Sequence, residues 1–531
     1  MAGIAFQTIG FDYSALAAPA EGHVLAYLAA GRADEIGFPL MRLDRADHVS
    51  DSPFMDRQAA IAGIVAQNRD LPAPPANARF VIAGQQAGLL TGPLYTFLKA
   101  ASAIAMSERL SRESDSPVRP LFWVVSEDHD VLEVNRVTVH GRRFVHEYAG
   151  ELTHGRVPQV ADISIEDARE PLLAFLREAL PETEFRPWVL DVVASADYSN
   201  YATAFSDMFR RLFAGKELRL VDAIALRPLT APVLAVLVER WPEVCAALRA
   251  GGERLRAAGV EPPLAAPGVF AIVDGKRVAI ELGDRSARLC AGELSFAELA
   301  DEIRRRPGGF SPNAALRPVL QDAVLPVVAT FGGPFEIDYL WQIDPIYEVA
   351  GVTRSRVFPR ISATFVEDRI RRAAEKVGLW SDRVFEVRKE LAGYAPETED
   401  DGEIAALAQK GKALLDEIQK YLEAGEGKWL VKAKAGLEFH LEKIVDRLRE
   451  ERLEAAGLGR KRLERIADAV LPEGKPQERV ANVLQFLNLY GPEFVTRAIE
   501  TLDPFSLRHQ VVSISTMGKT TKGEDRAHFS A

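Results

Sequence analysis

Hydrophobic positions change their spacing several times along this chain, and each change predicts a different kind of element. Phe80-Val81-Ile82-Ala83 is an unbroken apolar run of buried-strand length. Three glycines follow within Gly84-Gln85-Gln86-Ala87-Gly88-Leu89-Leu90-Thr91-Gly92-Pro93, and a helix is predicted from Leu94 through Lys99 to about Leu110. Pro120-Leu121-Phe122-Trp123-Val124-Val125 reads as the next strand and delivers Ser126-Glu127-Asp128-His129-Asp130 to its carboxyl end. Strand, helix and strand make a βαβ unit with both loops on one edge. In open parallel sheets that edge is where ligands bind, because loops and helix N-termini converge there.

The α/β pattern continues with a helix over Tyr198 to Phe213, a strand over Glu217 to Asp222 and a helix over Leu229 to Trp241. Between 252 and 310 it changes. Two apolar runs, Val269 to Val273 and Arg277 to Ile280, flank Asp274-Gly275 and predict a β-hairpin in an inserted lobe. From Ser311 the earlier pattern resumes: a helix over Pro312 to Leu325, a strand over Val327 to Phe331, a tight Gly332-Gly333-Pro334 loop, a helix over Phe335 to Ala350 and a closing strand over Phe358 to Phe365. Strand, glycine loop and helix thus occur twice, which puts two glycine-containing loops on one crevice. Ile404, Leu407, Gly411, Leu414, Ile418 and Tyr421, then Leu430, Leu437, Leu441, Ile444 and Leu448, follow helical 3-4 spacing on either side of Gly425-Glu426-Gly427. They predict an antiparallel helical hairpin whose apolar seam is covered by its own second helix or by a second subunit. Residues 476 to 514 return to apolar periodicity, and Ser515 to Ala531 is polar and expected to fray.

Composition narrows the class. A chain of 531 residues exceeds one ordinary core, while its hydrophobic fraction of 47% and charged fraction of 27% are those of a folded globular protein. No apolar run approaches the roughly 18 residues of a membrane span, and Met1 to Gly10 lacks a secretory pattern, so a cytoplasmic location without membrane partners is expected. Two distant cysteines, Cys245 and Cys290, exclude a disulfide framework and a cysteine-rich zinc site. A net charge of −11 with scattered basic residues argues against a nucleic-acid partner.

The candidate chemistry collects at the sheet edge. The Gly84 to Pro93 loop has neither the closing Gly-Lys-Ser/Thr of a P-loop nor the spacing of a dinucleotide fingerprint. It remains a strand–loop–helix whose free amides can face an anion, with Gly88, Thr91 and Gly92 shaping the turn. The plainer reading of the glycines is a tight turn and close helix packing. Gln85 and Gln86 argue for a ligand, since adjacent amides are costly to bury unpaired. Of Glu127, Asp128, His129 and Asp130, at least two should point into the crevice. His129 suits a general base or phosphate partner, and the carboxylates suit an amine or, with a nucleotide, Mg²⁺. No tightly bound metal is expected. Arg317, Gln321 and Asp322 share roughly one helix face, where simple surface pairing is the alternative, and Glu336 with Arg360 completes a polar ring.

These residues resemble those of the bacillithiol-biosynthesis cysteine-adding enzymes, also called cysteine ligases. The blocks that carry the resemblance are Gly84 to Thr96 including Tyr95, Phe122-Trp123 through Asp130, Ser311-Pro312-Asn313 through Arg317-Pro318 to Gln321-Asp322, Gly332-Gly333-Pro334, Pro359-Arg360, Gln477-Glu478-Arg479 and Tyr490-Gly491-Pro492. They run in order along nearly the whole chain. Members of that family often carry histidine where this chain has Leu98, which leaves Lys99 as the cation there. The resemblance implies an α/β fold with a Rossmann-like core related to class I synthetases and nucleotidylyltransferases, connecting insertions and a helical coiled coil used for homodimerisation. On that basis residues 1–250 are the first part of the core, 251–310 an inserted β-containing lobe, 311–375 the second part of the core, 376–470 the coiled-coil hairpin and 471–531 a segment returning to the core.

It also implies a ligase that joins cysteine to the amine of glucosaminyl-malate, the last step of bacillithiol synthesis. Amide formation from a free carboxylate is uphill in water, so cysteine needs activation, for which ATP with Mg²⁺ is the obvious route. The mechanism expected from these residues has the Gly84 to Pro93 amides and Lys99 stabilising charge on the activated carboxylate. Asp128 or His129 takes the amine's proton, and Arg317 or Arg360 pairs with the malate carboxylates, with Gly84, Gln85, Gln86, Gly88, Thr91, Gly92, Tyr95, Glu127, Asp130, Gln321, Asp322, Gly332, Gly333 and Glu336 also expected to bind the substrates. Rival readings are a nucleotidyltransferase acting on another small polar metabolite and a non-catalytic coiled-coil scaffold.

Overall fold

The apolar run at Phe80 becomes the central strand of a five-stranded parallel sheet in a computed structural model of the chain, which describes residues 4–11, 23–38, 40, 48–114, 116–148, 156–289, 292–388, 391, 402–423, 430–455 and 460–516. The strands are β1 (Arg79–Gln86), β2 (Val118–Val125), β3 (Arg219–Asp222), β4 (Val327–Gly332) and β5 (Arg356–Pro359), in the order β5-β4-β1-β2-β3. Phe80, Val81, Ile82 and Ala83 are fully buried, as a strand covered on both faces requires. The chain steps one way from β1 to β3 and then reverses to the other side of β1. The sheet therefore has its topological switch between β1 and β4, and a crevice opens at their carboxyl ends. Helix α1 (Leu94–Glu113) returns the chain from β1 to β2 and is itself nearly all buried. Helices Gln477–Val480 and Glu493–Thr501, from the far end of the sequence, pack on it.

One glycine is fixed by contact. A β-carbon on Gly84 would stand 3.0 Å from the Trp123 carbonyl oxygen on the neighbouring strand, so only glycine lets β1 and β2 run together to their ends.

The chain divides into two compact units, residues 1–365 with 475–531, and residues 366–474. In the first unit a four-stranded sheet joins Arg156–Pro158, Lys276–Ala279, Val269–Val273 and Phe310–Pro312. Its hairpin turns on Asp274 and Gly275, both with positive φ (50° and 72°), the geometry that Asp-Gly favours. Strand Ile4–Phe11 pairs antiparallel with His509–Thr516, tying the two ends of the described chain together.

Several predicted elements divide differently. The single strand expected over Phe358 to Phe365 is two: β5 in the parallel sheet, and Ala363–Glu367 beside His509–Thr516. Between them the Arg360 amide bonds the Gly332 carbonyl at 2.9 Å and the Ile361 amide bonds Ser102 Oγ at 2.8 Å, which turns the chain out of the first sheet. The helix expected over Phe335 to Ala350 is α2 (Pro334–Gln342) followed by Asp344–Ala350, because Pro345 has no N–H to continue the first helix and instead starts a second. The helix expected from Pro312 begins at Arg317, after the short strand Phe310–Pro312. The helix expected over Leu229 to Trp241 spans Arg227–Glu239, and a further helix, Trp241–Ala257, crosses position 250.

In the second unit, α3 (Gly402–Glu423) and α4 (Leu430–Ala455) form the antiparallel hairpin. Gly411 marks a close approach of the two helices, since a β-carbon there would overlap Leu441. Leu415 and Val445 are buried, whereas Leu407, Leu414, Ile444 and Leu448, expected in the seam, are exposed along with Val431 and Phe439. The Gly425-Glu426-Gly427 break and residues 517–531 lie outside the described residues. Among the described residues no helix is long and apolar enough to cross a membrane.

Candidate functional site

The carboxyl ends of β1, β2 and β4 enclose a cleft of about 420 Å³. Its floor is a clasp between the two glycine loops. Lys99 Nζ, on the first turns of α1 and 2% exposed, donates to the Gly84 carbonyl (2.8 Å) and Gln85 Oε1 (2.7 Å) and pairs with Glu336 Oε2 (2.6 Å). Glu336 Oε2 also accepts the Gly333 amide at 2.7 Å. An ammonium has three protons, and three protein oxygens hold them. Lys99, expected from the sequence to stabilise charge on the activated carboxylate, is thus tied by the protein on all three protons. Burial pulls its pKa below the usual lysine value against the pull of Glu336. Burial pushes the Glu336 carboxyl up, but Lys99 and the Gly333 amide more than offset that and leave it lowered.

Beside the clasp, Asp128 sits among donors. Its Oδ2 accepts Gln86 Nε2 at 2.5 Å, and its Oδ1 accepts the His129 amide at 2.8 Å and faces Arg277 Nη1 at 3.3 Å. Burial raises the Asp128 carboxyl, yet His129, Arg277 and Gln86 hold it well below the usual carboxylate range, which makes it a poor base. Glu127 lies against Arg227, itself buried, at 3.0 Å, so its charge is answered from within. Glu133 differs. Burial, with Asp130 and Asp128 nearby, pushes its carboxyl up despite an opposing hydrogen bond from Gln86. Tyr95 and Tyr339 line the same cleft, each phenol pushed up to about 12, chiefly by burial, so both stay protonated donors.

Four arginines line the cleft, Arg277 among them, and their states divide them. Arg360 is paired bidentately with buried Glu478 (2.6 and 3.0 Å), whose Oε2 also takes Ser362 Oγ and the Ala363 amide. Arg277 is tied to Asp128. Arg317 bonds the Tyr339 hydroxyl at 3.2 Å, and Arg479 lies over the Phe335 ring at 5.2 Å. Among the described residues neither Arg317 nor Arg479 has a carboxylate within salt-bridge distance, so these two are the cations open to an anionic ligand. Burial alone would lower the Arg317 pKa, but Tyr339 and Glu336 raise it overall.

Of the residues singled out by sequence, the cleft brings together Gly84, Gln85, Gln86, Tyr95, Lys99, Glu127, Asp128, His129, Arg317, Gly333, Glu336 and Arg360. Others stand elsewhere. The loop amides expected to face an anion are partly used by the protein: Gly88 N–H bonds the Gln86 carbonyl, Gly92 N–H the Leu89 carbonyl and Leu94 N–H the Ala481 carbonyl. Asn482 Nδ2 donates to the Leu90 and Gly92 carbonyls (2.8 and 2.7 Å), so the C-terminal segment fills the turn around buried Thr91. Gly88 and Gly92 lie in this packed turn, outside the lining of the cleft. Asp130 caps the short helix Val131–Val134 by accepting the Glu133 amide. Gln321 and Asp322 are core residues: Gln321 bonds Thr330, and Asp322 accepts the Ser355 amide and the Tyr347 hydroxyl. Gly332 makes room for the Glu336 and Leu340 side chains behind the cleft wall.

Sequence reasoning gave no role to Arg277, Phe270, Glu133, Tyr339, Phe335 or Arg479. For Arg277 a signal exists. A charge inside the apolar hairpin Val269 to Ile280 has to be paired once buried, and a partner in the crevice is one way to pair it.

Comparison with known proteins agrees with this architecture. Residues 67–361 match the family model described as "Bacillithiol biosynthesis BshC, N-terminal Rossmann-like domain", and residues 363–514 match "Bacillithiol biosynthesis BshC, C-terminal coiled-coil domain". A relative from Bacillus cereus (strain B4264), named "Putative cysteine ligase BshC", is 31% identical over 467 residues, 82% of this chain and 85% of its own. A relative of the same name from Bacillus mycoides (strain KBAB4) is 30% identical over 465 residues, with the same coverage. Two domain matches in sequence order, on a parallel sheet with a polar cleft at its switch point and a helical hairpin, make one assignment: the chain belongs to the bacillithiol biosynthesis BshC family.

Proposed function

We propose that the cleft joins the carboxyl group of L-cysteine to the amine of glucosaminyl-malate, forming the amide that completes bacillithiol. The observation that carries this reading is that one cleft of a member of this family holds two guanidiniums, Arg317 and Arg479, with no carboxylate in salt-bridge distance among the described residues, beside the carboxylate of Glu133. Arg317 and Arg479 suit the malate carboxylates, which planar guanidinium groups bind well. Arg360 drops out of that role, since Glu478 already answers its charge. Glu133 suits the proton that the amine must lose before it attacks.

The cysteine carboxylate needs a leaving group, and ATP would supply it. The cationic wall of Arg317 and Arg479 fits phosphates as it fits carboxylates. Among the described residues no group of three or more His, Cys, Asp or Glu side chains is gathered to hold a metal, so Mg²⁺ would travel with the nucleotide. Residues of this chain would orient both substrates, and Tyr95 and Tyr339 would donate hydrogen bonds to them. We further propose that the exposed apolar side chains of α3 and α4 are covered by a second copy of the chain, and that the enzyme works in the cytoplasm.

The test is thiol profiling by mass spectrometry in a bacillithiol-producing host deprived of its own cysteine-adding enzyme, since such a cell supplies any co-substrate. The chain is expected to restore bacillithiol and deplete glucosaminyl-malate, and Arg317→Gln with Arg479→Gln to abolish this. Accumulated glucosaminyl-malate despite soluble, folded protein would overturn the reading and favour a nucleotidyltransferase with another acceptor.

A further inference from the structure

His129 occupies the cleft wall with its ring between Asp128 and Arg277, 39% exposed. Its Nδ1 lies 2.9 Å from Arg277 Nη1 and 3.4 Å from Asp128 Oδ1. The two contacts exclude each other. A protonated Nδ1 could donate to Asp128 but would oppose a guanidinium N–H, whereas a bare Nδ1 accepts from Arg277 and leaves Asp128 to other donors. Distance decides between them: 2.9 Å is an ordinary N–H···N hydrogen bond, and 3.4 Å is longer than a well-formed one. Asp128 does not depend on the imidazole, because Gln86 Nε2 and the His129 amide already donate to its two oxygens at 2.5 and 2.8 Å.

Arg277 cannot easily yield. Its Nε donates to Ser311 Oγ at 2.9 Å, its Nη2 donates to the Pro312 carbonyl, and its Cζ lies 3.9 Å from the Phe270 ring centroid. The inserted hairpin thus carries a guanidinium that is 5% exposed and held from several sides, with one N–H aimed at the imidazole. A guanidinium keeps its protons at any physiological pH, so the exchange cannot run the other way.

We propose that Arg277 is a positioning residue that fixes His129 as the neutral Nε2–H tautomer. His129 then acts in the cleft as a hydrogen-bond donor to an oxyanion of the activated carboxylate, and not as the base that deprotonates the amine. Of the two roles the sequence leaves open for His129, general base or phosphate partner, this one is closer to the second. It deepens the ligase reading and rests on it for the identity of the oxyanion, while the tautomer itself does not depend on that reading.

Two measurements test it. Long-range ¹H–¹⁵N spectra of protein labelled at the histidine ring nitrogens, with His129 assigned by its loss in His129→Gln, are expected to show Nδ1 unprotonated and Nε2 protonated. Arg277→Met should move the proton toward Nδ1. The second measurement is bacillithiol formation. His129→Ala is expected to lose about 10²–10³-fold, as for removal of one oxyanion donor. His129→Gln, whose amide nitrogen can donate from the Nε2 position but cannot accept a proton as a base, should recover most of that loss. A protonated Nδ1 in the unaltered protein, or His129→Gln as inactive as His129→Ala, would overturn the proposal. If no variant nor the parent chain forms bacillithiol, the ligase reading fails, and the spectra still decide the tautomer.

Discussion

His509 should make the first unit acid-sensitive in a defined pH window. Its ring is fully buried, with Nδ1 2.7 Å from Ser362 Oγ and Nε2 3.0 Å from Thr364 Oγ1. The Ser362 hydroxyl donates to Glu478, so it accepts from Nδ1–H, and Thr364 is left to donate to Nε2. That chain fits a neutral imidazole. Burial, only partly opposed by Glu478, lowers the His509 pKa from 6.5 to about 4. The unfolded chain takes up this proton as pH falls through about 6.5, and the folded chain takes it up only near 4. The contribution is therefore complete above 6.5, shrinks steadily as pH falls and is gone below about 4. A shift of this size corresponds to about 3 kcal/mol. In a unit of roughly 400 residues that is about 3–4 °C in melting temperature. The assay is thermal unfolding across this window for the parent chain and for His509→Gln, which cannot titrate. The variant should melt lower at neutral pH but lose less on acidification, so that the two curves converge. Parallel curves, or a parent chain that gains stability on acidification, would refute the reasoning.

Other outcomes follow from the same geometry. Lys99→Met should cost about 2–4 kcal/mol by stranding Glu336, and abolish turnover because the two glycine loops lose their tie; unfolding and thiol profiling read both, and an unchanged melting temperature would count against the clasp. Gly84→Ala should cost about 1–3 kcal/mol through the approach to the Trp123 carbonyl, measured by chemical denaturation. Replacing Phe439 and Ile444 by lysine should leave the hairpin helical by circular dichroism yet shift the chain to monomer by light scattering, if a second copy covers that face.

What the sequence made legible is what local pattern can encode. The run at Phe80, the glycine loop and the ionisable group after Val125 were readable because strand length, turn chemistry and position are local signals. So was the Asp274-Gly275 hairpin. Charge state was not readable. Glu127 meets Arg227, Asp128 meets Arg277 and Arg360 meets Glu478 across 100, 149 and 118 positions respectively, and nothing near any of these residues announces its partner. The same limit applies to the glycine loop, where the Ala481 carbonyl takes the Leu94 amide and Asn482 donates to the Leu90 and Gly92 carbonyls. The strand at Phe358 to Phe365 looked continuous because both halves are apolar, while the bend between them depends on the Gly332 carbonyl and Ser102.

The C-terminal segment that closes this turn also sets a timetable for the ribosome. Arg479 and Asn482 are made only after residues 366–474, so the β1 to β5 sheet can be complete while the cleft still lacks part of its wall. At about 5–20 residues per second, that interval lasts on the order of 5–20 seconds. Through it, the carbonyls of Leu90 and Gly92 and the amide of Leu94 wait for partners not yet synthesised. A nascent chain stalled within the helical hairpin would carry a finished sheet and an unfinished cleft wall.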